Sequence, residues 1–212
     1  KNEISARAKW FVGALSNACG AVLKVADQTL AQGASMIVTD KSERPKPIAL
    51  KLDGYEPLQI DLDFDGKRKI VDKSLFVPLD VEVTLPALEP EVECWFNGQK
   101  VVSSFNVKPG AYTGVYRRNG YKDQQMNFSP PIGKGSMTLP KPGAWTALPV
   151  AVTVPPLDSG VTCKLDGNVV SGFVKKMPGR YTIRYTKVDC MPQEFNQEVM
   201  AGTPVELSPP QK

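Results

Sequence analysis

The chain has 212 residues, 42% hydrophobic and 23% charged, with a net charge of +4 and a pI near 8.8. That is an ordinary globular composition, long enough for two or three small domains, and its mild basicity makes no case for nucleic acid. It contains no histidine, no CxxC pair among its four cysteines and no glycine-rich phosphate loop, which removes Ser-His-Asp, Cys-His and thiolate-zinc chemistry and points away from an enzyme.

In chain order, residues 4–31 carry apolar side chains at alternating spacings of four and three: Ile4, Ala8, Phe11, Leu15, Ala18, Val22, Val25 and Thr29. This is one face at helical period and predicts an N-terminal helix ending at Gly33. Gly13 and Gly20 stack on one side of that helix. Two readings follow: the apolar stripe packs on a neighbouring module, or the small residues allow close self-association with another subunit. No apolar run reaches the roughly 18 residues of a membrane span. The start at Lys1 rather than Met suggests a piece of a longer protein.

From Met36 onward the pattern changes to period two. Leu58, Ile60, Leu62 and Phe64 alternate with Gln59, Asp61, Asp63 and Asp65, which predicts a strand with one wet face. Asp61, Asp63, Asp65 and Asp72 also have the spacing of the oxygen ligands in a calcium loop, with Gly66 at the sharp turn. The flanking strand pattern and Arg68 at the usually apolar eighth position favour a hairpin whose acids meet Lys67 and Lys69. No cofactor other than this calcium is suggested.

A repeat at an offset of 69 dominates the rest of the chain. Val81, Val83, Thr84 and Pro86 return as Val150, Val152, Thr153 and Pro155. Val92, Cys94, Phe96, Asn97 and Gly98 return as Val161, Cys163, Leu165, Asp166 and Gly167. Pro109, Gly110, Tyr112 and Tyr116 return as Pro178, Gly179, Tyr181 and Tyr185. Asn97-Gly98 and Asp166-Gly167 suit two-residue hairpin turns with positive φ. Pro109-Gly110 and Pro178-Gly179 suggest a second turn with glycine in the left-handed position. Gly54-Tyr55, matching Gly120-Tyr121, suggests a degenerate earlier copy.

The order of Asn97-Gly98, Pro109-Gly110-Ala111-Tyr112, Tyr116 and Gly120-Tyr121 resembles the PEGA-type bacterial surface repeat over residues 80–210. The second copy departs from it at Asp189-Cys190, where Gly-Tyr is expected. The resemblance implies a small, often repeated β-sandwich of envelope or surface proteins without known catalysis. It names no ligand.

Three local features have two readings each. Cys94 and Cys163 occupy one apolar slot in the two copies, as small buried hydrophobes; the competing reading is a Cys163–Cys190 disulfide. Trp95 lies between inward residues and should face outward, where Arg117, Arg118 and Tyr121 join it as a surface for a glycan or protein, or as a packing contact. Trp145, in the Pro-rich linker, is a natural wedge. Lys175, Lys176, Arg180, Arg184 and Lys187 give the last copy a basic side, read as a solvated face rather than a nucleic-acid site.

The expected architecture is mainly β: a helix (1–33), a degenerate β module (34–80), and two small antiparallel β-sandwich modules (81–148 and 149–212). The expected role is a non-catalytic structural, spacer or adhesion protein of an envelope, appendage or assembly, with other protein subunits as partners. The alternative is a ligand-binding module that uses Trp95.

Overall fold

The computed structural model describes residues 11–25, 27–40, 47–61, 68–133 and 135–211. Among them the only helical element is a short 3-10 turn, Lys73–Leu75, and the rest of the regular structure is strand. The strands fall into the same order three times.

The first set is β1 (Phe11–Asn17), β2 (Leu23–Val25), β3 (Gln28–Leu30), β4 (Ser35–Asp40), β5 (Pro47–Leu52), β6 (Leu58–Asp61) and β7 (Arg68–Val71). It forms one sheet in the order β4-β1-β7 and another in the order β3-β2-β5-β6. The two sheets share a core that includes Leu15 and Val71 from the first and Leu23, Leu50, Leu52 and Ile60 from the second. That is a sandwich closed by alternating inward side chains.

The expected N-terminal helix is therefore corrected for residues 11–31; Ile4 and Ala8 lie outside the described residues. Burial follows strand alternation, not the helical stripe. Leu15, Asn17 and Cys19 are buried, whereas Ala18, Val22 and Thr29, all on the supposed stripe, are exposed. Spacings of four fit both periods, so part of the pattern matched a helix by coincidence. Gly20 and Gly33 take φ of +73° and +72° and turn the chain instead of stacking in a helix. The two hairpin arms are held by Asn17, which is buried. Its Nδ2 donates to the carbonyls of Ala21 (2.8 Å), Leu30 (2.9 Å) and Ala31 (3.2 Å), and its Oδ1 accepts from Cys19 N at 2.9 Å.

The second set is β8 (Val81–Thr84), β9 (Val92–Phe96), β10 (Gln99–Val101), β11 (Phe105–Val107), β12 (Tyr112–Arg118), β13 (Gln124–Phe128) and β14 (Ser136–Thr138). The sheets are β11-β8-β14 and β10-β9-β12-β13. The third set is β15 (Val150–Thr153), β16 (Thr162–Leu165), β17 (Asn168–Val170), β18 (Phe173–Lys176), β19 (Gly179–Thr186), β20 (Gln193–Val199) and β21 (Val205–Glu206), in sheets β18-β15-β21 and β17-β16-β19-β20. Its core joins Val150, Val152 and Leu207 to Cys163, Leu165, Ile183 and Tyr185.

The sandwiches are not purely antiparallel as expected. In the first and third sets the first strand runs antiparallel to the fourth but parallel to the last, as β1–β7 and β15–β21 show. The parallel partners lie far apart in sequence, where no hairpin signal marks the pairing.

The chain divides into two compact units. One holds the described residues up to Thr84 with 105–111 and 129–137; the other holds 85–104, 112–128 and 138 onward. The β11-β8-β14 sheet thus belongs mainly to the first unit and the β10-β9-β12-β13 sheet to the second.

Candidate binding face around Trp95

In β9 the alternation buries Val92 and Cys94 and sends Glu93 and Trp95 to the opposite face. Register then sets the neighbours: Trp95 lies opposite Lys100 on β10 and Val115 on β12, and Glu93 lies opposite Arg117. Of the four residues expected to form one surface, Trp95 and Arg117 lie on this outward face, Arg118 takes the alternate position opposite buried Val92, and all four arrive already paired.

The Arg117 guanidinium sits 4.7 Å above the Trp95 ring and its Nε donates to Asp123 at 3.1 Å. The indole Nε1 of Trp95 donates to Glu93 at 3.0 Å, and Lys100 donates to the other oxygen of that carboxylate at 2.7 Å. The bonds from Lys100 and then Trp95 hold the Glu93 carboxyl below its ordinary pKa. Arg118 covers Tyr121 at 4.9 Å and reaches Glu89 at 3.1 Å and Glu91 at 3.2 Å. Its Nε is buried without a hydrogen-bond partner. A cleft of about 420 Å³ opens between these groups, lined by Glu91, Glu93, Arg118, Tyr121 and Asp123 among others.

Chemically this is a self-neutralised network. A flat ligand stacking on the Trp95 face that Arg117 covers must first displace that guanidinium and forgo its cation–π contact. The acids Glu89, Glu91, Glu93 and Asp123 were not singled out from sequence. Glu89 and Glu91 lie in the turn that leads into β9, where Val92 N donates to Glu89 O at 3.0 Å, so strand alternation gave no signal for them.

Trp145 does not lie free in its linker. Its ring meets Tyr121 edge-on at 6.0 Å, and the linker is tied back beside it: Lys122 N donates to Thr146 O at 2.9 Å and Leu148 N to Gly120 O at 2.8 Å. The same lock closes the first sandwich. Phe76 meets Tyr55 edge-on at 6.0 Å, Glu56 N donates to Val77 O at 2.8 Å, and Leu79 N donates to Gly54 O at 2.9 Å. Phe76 and Trp145 are themselves 69 residues apart.

Each lock is flanked by a close glycine pair. A Cβ on Gly54 would stand 2.6 Å from Gly133 N, and one on Gly120 would overlap the Gly202 backbone. Gly54 and Gly120 have φ of +82° and +79°, which only glycine adopts freely.

The turn expectations divide. Asn97-Gly98 (φ +50° and +75°) and Asp166-Gly167 (φ +47° and +80°) form the two-residue hairpins. Gly110 and Gly179 do not take the left-handed turn position expected for them. Gly110 N donates to Pro130 O, and Gly179, with φ +158°, opens β19 opposite Val199. After Pro109 and Pro178 the chain enters a strand rather than turning back.

Of the calcium residues, Asp63 and Asp65 lie outside the described residues. Asp72 accepts from Ser74 N at 2.8 Å, capping the 3-10 turn, and this bond lowers its pKa. Lys69 donates to the Asp61 carbonyl at 3.0 Å. All four cysteines are free thiols; Cys19, Cys94 and Cys163 are buried and Cys190 is exposed. On the basic side of the last sandwich, Arg180 lies opposite Glu198 and Arg184 opposite Glu194, so register sets acids against those cations.

No protein-family model matches the chain, and no curated protein matches it. Among solved structures it is similar to one described as "The Bacillus anthracis TIE protein", at 14% identity and a TM-score of 0.31 over 94% of this chain and 49% of that one. The chain therefore spans about half the length of that structure. At this TM-score the likeness carries no inference.

Proposed function

We propose that this chain is a non-catalytic structural protein, a spacer or adhesive element of an envelope, appendage or assembly, built from β-sandwich repeats. The observation that carries the reading is the repeated lock. Both linkers are held by the same pair of backbone bonds and an edge-on aromatic pair, with a close glycine contact beside each lock. A chain selected to hold each linker against its sandwich suits load-bearing or positioning better than catalysis. The PEGA-type resemblance of residues 80–210 agrees with that setting. The polar outer face around Trp95 saturates its own charges, which fits a solvated or laterally packed surface.

In an assembly, the chain is expected to self-associate or to bind other subunits. Sedimentation of the full chain from low to high micromolar concentration checks this directly. A mass rising above one chain supports the reading; a strict monomer that also retains no protein partner from its native source would count heavily against it.

The cleft beside Tyr121 favours a second reading, a glycan- or protein-binding face. Retention on a glycan panel that Trp95→Ala abolishes would establish it. Equal behaviour of both proteins would remove it.

A further inference from the structure

The third sandwich departs from the second on the outer face of its four-stranded sheet. At the repeat offset, Glu93, Trp95, Val115 and Arg117 of the second set become Thr162, Lys164, Arg184 and Thr186. Alternation sends all four outward, because Cys163, Leu165, Ile183 and Tyr185 beside them are buried. Register then makes a square of them: Thr162 lies opposite Thr186, and Lys164 lies opposite Arg184.

Two features of that square point to a ligand. The two cations are direct cross-strand neighbours, where side chains start about 5 Å apart and like charges repel. The protein also does not neutralise them. Among the described residues the cations in ion pairs are Lys100, Lys108, Arg117 and Arg118, and neither Lys164 nor Arg184 forms one. Glu194 stands opposite Arg184 on β20 without bonding to it. The hydroxyls of Thr162 and Thr186 likewise make no hydrogen bond among the described residues. The second sandwich shows the reverse: Glu93 takes Lys100 and the Trp95 indole, and Arg117 takes Asp123. In the third, Glu93 is replaced by Thr162 and Asp123 by Pro192.

We propose that this square binds a phosphate or sulfate ester group of a polysaccharide. Arg184 supplies a planar fork, Lys164 a point charge and the threonines two hydroxyls. A carboxylate fills its two oxygens on the fork, whereas the third oxygen of an ester reaches the ammonium and hydroxyls beside it. Glu194 and Glu198 share the face. They repel a broad anionic surface, such as a membrane or a nucleic-acid duplex, while a single narrow chain crosses beside them. Lys164 stands where the second sandwich has Trp95, so the square offers no ring on which a base could stack. This face is separate from Trp95 and does not depend on the structural role proposed above, so each can fail alone.

The test uses the full chain. Titration with inorganic phosphate and with inorganic sulfate should shift the backbone amide resonances of residues 162–164 and 184–186 ahead of all others. A phosphorylated mannan and a sulfated dextran are the polymer probes. At least one should be retained at low salt and released as salt rises, and the tighter of the two identifies the ester. Lys164→Gln with Arg184→Val, the residue of the second sandwich at that place, should weaken retention roughly tenfold or more, the order expected for losing two charge-assisted contacts. Its melting temperature should be no lower than the parent's, because a repelling pair is gone. Lys175→Gln with Lys176→Gln removes the same charge from the other sheet and should leave retention unchanged. Equal weakening by the two double variants overturns the site in favour of net charge. Equal retention of polyglutamate overturns the ester assignment, and tighter retention of single-stranded DNA overturns the polysaccharide assignment. Absence of both the amide shifts and polymer retention overturns the square itself.

Discussion

Asn17 is the one buried polar side chain among the described residues, and all its strong bonds are spent on the backbone of its own hairpin. Asn17→Leu would strip three carbonyls of that donor inside a low-dielectric core. The expected loss is about 2–4 kcal/mol, since each buried orphan costs about 1–3 kcal/mol before relaxation; urea unfolding measures it. Tyr116 and Tyr185 are the second pair to test. Their hydroxyls donate to Pro140 O at 2.6 Å and Ser208 O at 2.9 Å, and burial pushes both pKa values up to about 12. A folded pKa above the ordinary value near 10 means the folded state holds these protons more tightly. Their contribution is whole below pH 10 and is lost as the pH rises toward 12, at about 1.4 kcal/mol per pKa unit. Unfolding curves from pH 9 to 12 should fall more steeply for the parent than for Tyr116→Phe with Tyr185→Phe. Phenol absorbance that titrates with a midpoint near 10 for all six tyrosines would contradict the burial argument. The thiols give a simple check: one cysteine, Cys190, should react with a disulfide reagent in the native protein, and the other three only after denaturation.

At the scale of the element, the linker locks are the testable feature. Gly120→Val places a side chain at φ +79° into the Gly202 backbone, where neither neighbour is a flexible side chain that could yield. A loss of about 3 kcal/mol or more is expected from strain plus displacement of the contact. Trp145→Ala removes the ring from Tyr121 and should cost about 1–2 kcal/mol. Its more specific signature is faster proteolysis within residues 141–149 with little change elsewhere. Cleavage spread evenly over the chain would show that the ring supports general stability and not the linker. The hairpin turns were legible from dipeptides, because Asn-Gly and Asp-Gly carry their φ preference locally. The Pro-Gly pairs were misread because proline fixes one φ but says nothing about the strand pairing that captured Gly179.

Across the molecule, the same strand order returns three times, in sheets of three and four strands. The first copy begins within the segment whose spacing suggested a helix. Its signature residues differ from the other two: Leu50 stands where Tyr116 and Tyr185 stand, and Val25 where Cys94 and Cys163 stand. Any apolar side chain fills an inward strand position, so the fold persisted while the motif did not. If the three copies fold alike, hydrogen exchange should protect β2, β9 and β16 comparably. Rapid exchange confined to β2 would show the first copy to be only a partial sandwich.

Local chemistry was enough to determine the hairpin turns, the inward positions of β9 and β16, the outward Trp95 and the 69-residue repeat, because period-two alternation and turn φ are properties of neighbouring residues. Tertiary structure alone decided that Phe11–Asn17, Leu23–Val25 and Gln28–Leu30 are strands, that β1 and β15 lie parallel to β7 and β21, and that Arg117 covers Trp95. Each of these depends on a partner distant in sequence or on competition for one ring face, and a one-dimensional pattern does not encode which distant partner wins.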